Sequence, residues 1–222
     1  MLILLPPSEG KSAPLSPTPF DIHALSNSDR LTALRLAAIH GAGINPAKVD
    51  SDEAISIYNG VLYKALDWGS LSKSAKKRGE KSIRIISALF GVITPTDRIF
   101  AYKSKIKSSH WKTALAEVLD SVGADVIVDC RSSTYKGAWN PPNAKTVEVR
   151  VFQSVNGKLS IITHMSKKYR GELVRHLLLQ KSEPKTIPDL LDVLRSDFYF
   201  EFVPATQSTP HLLNLIVESL TE

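Results

Sequence analysis

The 222-residue sequence has one cysteine, Cys130, two methionines and no apolar run long enough to cross a bilayer. A lone cysteine excludes an internal disulfide and any zinc site built on cysteine pairs. The six histidines, at 23, 40, 110, 164, 176 and 211, show no metal-ligand spacing of the H-E-x-x-H kind, so neither a metal nor another cofactor is implied. Met1 leads straight into apolar residues, with no basic leader and no small-residue cleavage site, which predicts a cytoplasmic protein with no membrane partner. A phosphate-wrapping loop is missing as well. Gly10-Lys11-Ser12 follows the apolar "LILL", but Leu5 stands where such a loop needs its first glycine, and Pro6 and Pro7 carry no amide hydrogen.

What that stretch does contain is a short buried strand that delivers Ser8, Glu9 and Lys11 to its carboxyl end, where open α/β sheets build sites. A solvated turn after an edge strand fits the same letters. The chain as a whole is 43% hydrophobic and 23% charged, an ordinary globular composition. It has no internal repeat or low-complexity tract, and residues 1–222 read as one domain.

Charge is distributed unevenly. The formal net is +6, but Lys73 to Lys112 holds eleven Lys/Arg against only Glu80 and Asp97, a local net of +9. Such asymmetry points to an anionic partner, nucleic acid first. The candidates for phosphate contact are Lys73, Lys76, Lys77, Arg78 and Lys81 in "SKSAKKRGEK", then Lys103, Lys105 and Lys107. A solvated charged surface is the plain alternative.

Helical patterning is expected from about Asp29 to His40, with Ser28 as N-cap and Gly41 as stop, and again from Asn45-Pro46. A further helix follows Ser51-Asp52-Glu53 toward Trp68, interrupted near Gly60. "SIRIISALFGVITP" and "DVIVDC" read as strands, and "HWKTALAEVLDSVG" as a helix closed by Gly123. "TVEVRVFQSV" and "KLSIITHM" flank Asn156-Gly157, a hairpin signal. Helices then dominate to the C-terminus apart from a strand at "FYFEFV". Intermixed strands and helices predict an α/β (or α+β) fold with a mixed sheet flanked by helices.

Three polar clusters could carry chemistry. "TPTDRIFAYKSKIK" places Asp97, Arg98, Tyr102, Lys103 and Lys105 on a loop after a buried strand. "DCRSSTYKGAWNPP" places Asp129, Arg131, Ser132, Ser133, Tyr135 and Lys136 at a strand end suited to phosphate or carboxylate. No histidine is near enough in sequence to activate a serine there. In "SKKYRGELVRHLL", Ser166 as N-cap puts Lys167, Lys168 and Arg170 into a first helical turn, where an anion would offset the unfavourable dipole. Lysines extending into water explain the same letters.

"LAAIHGAGINPAKV", Leu36 to Val49, is similar to the helix-hairpin-helix DNA-binding motif. Leu36 and Ile39 match its apolar pair, Gly41 and Gly43 its hairpin glycines, and Ala47 its small packing residue, with Lys48 beside them. In that motif, hairpin amides face a DNA phosphate. A helix stop followed by an Asn-Pro start accounts for the pattern equally.

Taken in order, "MLILLPPSEGK", "YNGVLYKAL", "SALFGVITPTDRIFAYK", "SSTY" and "HMSKKYRGELVRHLL" resemble the YaaA family of peroxide-stress proteins. The resemblance implies a bacterial cytosolic protein that aids survival of hydrogen peroxide by limiting unincorporated iron, with DNA binding and a helix-hairpin-helix element. The family's recurrent positions fall on Lys11, Gly60, Tyr63, Gly91, Pro95, Asp97, Tyr102, Tyr135, Arg170 and Gly171. Lys103 stands where the family usually has Arg, and Thr134 where it usually has Glu. Two functions are therefore expected. One is DNA binding, mainly through phosphates and with little sequence reading, that protects DNA from oxidation. The other is an enzyme acting on a phosphorylated or carboxylated small molecule, with Lys11, Asp97, Tyr102, Ser133, Tyr135 and Arg170 converging in one cleft.

Overall fold

Four consecutive apolar residues with no polar face suit a strand covered on both sides, and Leu2–Leu5 (β1) is fully buried at the heart of the sheet. The computed structural model describes residues 1–155, 158–161 and 165–218. The other strands are Thr18–Pro19 (β2), Asp50–Glu53 (β3), Ile83–Ser87 (β4), Gly91–Ile93 (β5), Arg98–Ile99 (β6), Ile127–Asp129 (β7), Thr146–Val155 (β8), Lys158–Ile161 (β9), Phe200–Val203 (β10) and His211–Glu218 (β11). The helices are Ser28–Gly41 (α1), Ala54–Ile57 (α2), Val61–Leu66 (α3), Lys73–Ser82 (α4), Ser108–Asp120 (α5), Ser133–Lys136 (α6), Ser166–Leu179 (α7) and Ile187–Leu194 (α8).

The main sheet runs β10-β11-β8-β7-β1-β4-β5, with β9 also pairing β8. The five central strands β11, β8, β7, β1 and β4 are parallel, and β10, β5 and β9 are antiparallel to their neighbours. This is the expected mixed sheet in an α/β arrangement. Period-two alternation divides its two cores. Ile3, Leu5, Ile83, Ile85 and Val128 face α3, α4, α7 and α8, whereas Leu2, Leu4, Ile86 and Ile127 face α1 and α5. A smaller antiparallel sheet, β2-β3-β6, lies apart. No helix among the described residues is long and apolar enough to cross a membrane.

Several local expectations need correction. "SIRIISALFGVI" is a tight antiparallel hairpin, β4 and β5, rather than one strand. Gly91 turns it with φ +70°, and a side chain there would strike the Trp111 ring. The C-terminal "HLLNLIVE", read among helices, is β11. Buried Leu213 and Leu215 alternate along it, and it pairs in parallel with β8. Ser51-Asp52-Glu53 belongs to β3, and the helix beyond is broken into α2 and α3 around Gly60. Asn27, in the left-handed region, precedes α1 where Ser28 was expected to cap, and Met165 takes the N-cap of α7 in place of Ser166. The second helix expected at Asn45-Pro46 is one 3-10 turn, Pro46–Lys48, after which the chain enters β3. The strands flanking Asn156-Gly157 do pair, Val155 with Lys158, though the turn itself lies outside the described residues.

Candidate functional site

Parallel β1, β4 and β7 point their carboxyl ends to one edge of the sheet, and there the segments after β1 and β7, with the stretch after β6, close around a cavity of about 440 Å³. Its lining is Pro7, Ser8, Glu9, Lys11, Tyr102, Lys103, Ser104, Lys105 and Tyr135. The loop after β1 is strapped in place from below. The Tyr63 hydroxyl donates to the Pro6 carbonyl at 2.7 Å, the Ser12 amide to the Ile57 carbonyl at 2.8 Å, and Lys11 makes a backbone bridge to Tyr58. A side chain on Gly60 would occupy the space of the Ser8 hydroxyl, so glycine is required for that approach.

The Lys11 amine donates to the Ser8 carbonyl at 2.7 Å and sits 4.3 Å from the centre of the Tyr102 ring. Burial pulls its pKa below the usual lysine value, with the Glu9 charge opposing. Tyr102 is held by hydrogen bonds between its hydroxyl and the hydroxyls of Ser87 at 2.7 Å and Tyr58 at 3.1 Å. Burial raises the pKa of both tyrosines, so they stay phenols. Tyr135 on α6 is half-buried and pushed up to about 12, chiefly by desolvation.

Lys103 and Lys105 are exposed along the cavity mouth. Beyond them a second, smaller pocket of about 140 Å³ shares Ser104 and Lys105 and adds Lys107, His110 and Gly41 at the end of α1. Among the described residues no carboxylate pairs with Lys11, Lys103, Lys105 or Lys107. The two pockets adjoin at their shared residues Ser104 and Lys105, a basic groove that also carries one acidic lining residue, Glu9.

Of the six residues expected to converge, Lys11, Tyr102 and Tyr135 line the cavity; Asp97, Ser133 and Arg170 do not. The Asp97 carboxylate accepts from the Ser26 amide and hydroxyl at 2.8 and 2.9 Å and from the Thr94 amide at 2.7 Å, a structural clamp. Ser133 is exposed at the start of α6. Arg170 turns back under the sheet edge, donating to the Val149 carbonyl at 3.0 Å and the Cys130 carbonyl at 3.4 Å. Lys167 and Lys168 stay in water at the start of α7, with Lys168 pairing Glu172 at 3.6 Å.

The basic segment splits in three dimensions. Arg78 caps α7 by donating twice to the Leu178 carbonyl, at 2.7 and 3.0 Å, and Lys76 donates to the Gly69 carbonyl at 3.3 Å. Lys73, Lys77 and Lys81 are exposed on α4, and none lines the groove. Lys81 directly precedes β4 and so lies at the amino edge of the sheet. Lys103 and Lys105 instead line the cavity with Ser8 and Glu9, beyond the carboxyl end of β1.

The hairpin after α1 also differs from the motif. Gly43 has φ +72°, as a turn glycine does, but the amides of Ala42, Gly43 and Ile44 are bonded to Ala38, His40 and Ile39 carbonyls. Donors already engaged cannot also face a phosphate. Lys48 is exposed on the 3-10 turn that follows. Sequence reading did not single out Tyr58 or Ser104. Tyr58 serves the site through a hydroxyl pair across 44 positions, which no local pattern signals.

An α/β protein whose parallel strands end at a basic, tyrosine-floored groove, with no described group of three or more His, Cys, Asp or Glu able to hold a metal, is the class that the geometry defines. Residues 21–204 match the family described as peroxide stress protein YaaA, and the chain belongs to that family. It is 31% identical to the UPF0246 protein SCO2297 of Streptomyces coelicolor, over 99% of this chain and 100% of that protein. It is 32% identical to a UPF0246 protein of Corynebacterium glutamicum over 88% and 92%, and 27% identical to UPF0246 protein IL2146 of Idiomarina loihiensis over 72% and 71%.

Proposed function

We propose that this peroxide-stress protein binds DNA through the groove at the carboxyl edge of its sheet, with Lys103, Lys105 and Lys107 on phosphates and Lys48 near the rim. The supporting observation is a set of lysines that line two adjoining pockets and have no ion pair among the described residues. Lysines are point charges, so contact of this kind gives affinity with little sequence reading. The hairpin at Gly41 and Gly43 forms one wall of the groove and, with its amides engaged, adds shape rather than donors. A protein seated on phosphates in the cytoplasm displaces condensed cations, ferrous ions included, and so limits iron-driven oxidation where it sits.

The test is a salt titration of duplex binding. Replacing Lys103, Lys105 and Lys107 together by Ala should lower the salt slope by about 0.9 for each phosphate no longer neutralised, equally for unrelated sequences. The matching change of Lys73, Lys77 and Lys81 should leave it nearer wild type. The reverse ranking would move the interface to α4.

A second reading, an enzyme for a phosphorylated or carboxylated small molecule, draws support from the cavity's size, which suits a metabolite, and from the desolvated Lys11 at its floor. Calorimetric titration with phosphorylated metabolites tests it.

A further inference from the structure

Lys11 differs in kind from the other lysines of the groove. Lys103, Lys105 and Lys107 extend into water, as phosphate-tracking lysines do. Lys11 is half-buried on the cavity floor, with the Ser8 carbonyl as its one close hydrogen-bond acceptor and the face of Tyr102 beside it. No described carboxylate pairs with it. A cation in such a place is a poor tether for a phosphate that the rim lysines can reach first. An amine there is a good nucleophile, because withdrawal from water favours the form that carries a free lone pair. Tyr135 lines the same cavity and remains a phenol at neutral pH, so the cavity holds a proton donor as well as the amine.

We infer that Lys11 is a nucleophilic amine that forms an imine with an aldehyde carried beside a phosphate, the aldehyde entering the cavity while Lys103 and Lys105 hold the phosphate at its mouth. The inference rests on the phosphate-binding reading of the groove. Two sources present that chemistry: the ring-opened sugar of an abasic site in DNA, and a free sugar phosphate. Radical attack on DNA sugars leaves aldehydic sites, which connects the chemistry to peroxide stress.

The step balances without an added oxidant or reductant. The Lys11 lone pair forms a C–N bond to the aldehyde carbon as the C=O π pair moves to oxygen, and a proton passes from nitrogen to that oxygen. The resulting hydroxyl takes the Tyr135 proton and leaves as water while the nitrogen lone pair closes the C=N bond. The Tyr135 phenolate then recovers the remaining proton from nitrogen, leaving a neutral imine and one water.

Sodium cyanoborohydride, which reduces an imine to a stable secondary amine, is the probe. The wild-type protein is incubated with the reagent and an abasic-site duplex, an intact duplex, or glyceraldehyde 3-phosphate, and adducts are located by peptide mass mapping. The expected result is an adduct on Lys11 with the abasic duplex, the sugar phosphate or both, which also names the source, and none with the intact duplex. Lys11→Arg keeps the cation but cannot form an imine, and should reduce trapping to background while still melting cooperatively. If that variant does not fold, the mapped position in the wild type decides. No adduct, or adducts spread over Lys103, Lys105 and other surface lysines, would overturn the inference. Binding of the intact duplex is measured in parallel: binding without trapping leaves the DNA reading standing alone, and trapping without binding leaves only the amine chemistry.

Discussion

Asp97→Asn separates a structural carboxylate from a site residue. In the fold, one oxygen of Asp97 accepts from the Ser26 amide and hydroxyl, and the other accepts from the Thr94 amide at 2.7 Å. Behind it lies Arg35, fully buried, whose guanidinium donates to the Phe90, Ser26 and Val92 carbonyls at 2.9, 2.8 and 3.0 Å. Burial pushes that guanidinium down to about 10, and the Asp97 charge opposes the shift. Asparagine can keep the Ser26 bonds, but its NH2 group then faces the Thr94 N–H, donor against donor. The loss is one charge-assisted hydrogen bond plus a buried donor left without an acceptor, together about 3 kcal/mol. For a chain of this size that lowers Tm by roughly 6–12 °C. Thermal melting and urea unfolding measure it, and DNA affinity below the transition should stay at the wild-type value. A variant that melts like wild type but no longer binds DNA would refute the reasoning and return Asp97 to the site.

Three further outcomes follow from the same geometry. Gly171→Ala should destabilise by about 2 kcal/mol or more, since a methyl there would lie well inside contact distance of the Leu62 carbonyl where α7 crosses α3; chemical denaturation reads this directly. Cys130 is buried, and desolvation pushes its thiol up to about 12, so native protein treated with hydrogen peroxide should keep a free thiol by mass spectrometry, and only unfolded protein should be oxidised. Lys11, with its lowered pKa, should be acylated at lower pH than an Nα-acetyl-lysine standard in a competitive labelling series; a profile matching the standard would contradict its desolvation.

Much of the scaffold was legible because it is written in short periods. Trp111, Leu115, Val118 and Leu119 share one helical face, and all four are buried in one core. "LILL" and "DVIVDC" are apolar on both faces, which suits central parallel strands. The edges were harder. β11 has apolar residues at 212, 213, 215, 216 and 217, a run compatible with a helix until β8 pairs with it in parallel. The hairpin of β4 and β5 depends on Gly91, which takes φ +70° in the turn and leaves the space that the Trp111 ring, twenty positions away, fills.

The site was legible as residue types at strand ends and not as a constellation. Lys11 and Tyr135 meet because β1 and β7 are parallel neighbours, and Tyr102 joins them through its hydroxyl bond to Ser87 at the end of β4, contacts that only the fold sets. Asp97 sits in the same polar loop as Tyr102, yet its partner Ser26 is 71 positions away, and that contact decides its role. The +9 segment was the most misleading signal. Contiguous in sequence, it is divided in space: Lys81 lies just before β4, whereas Lys103 and Lys105 line the cavity beyond the carboxyl end of β1.

The central claim is that DNA lies in the groove at the carboxyl edge. A photo-crosslinking side chain placed at exposed Ser104, between Lys103 and Lys105, tests this most directly against the same group placed at Lys77 on α4. On irradiation with duplex DNA, adducts should form from position 104 and be competed away by unlabelled duplex of unrelated sequence, with position 77 at background. Adducts from position 77 with none from 104 would contradict the account.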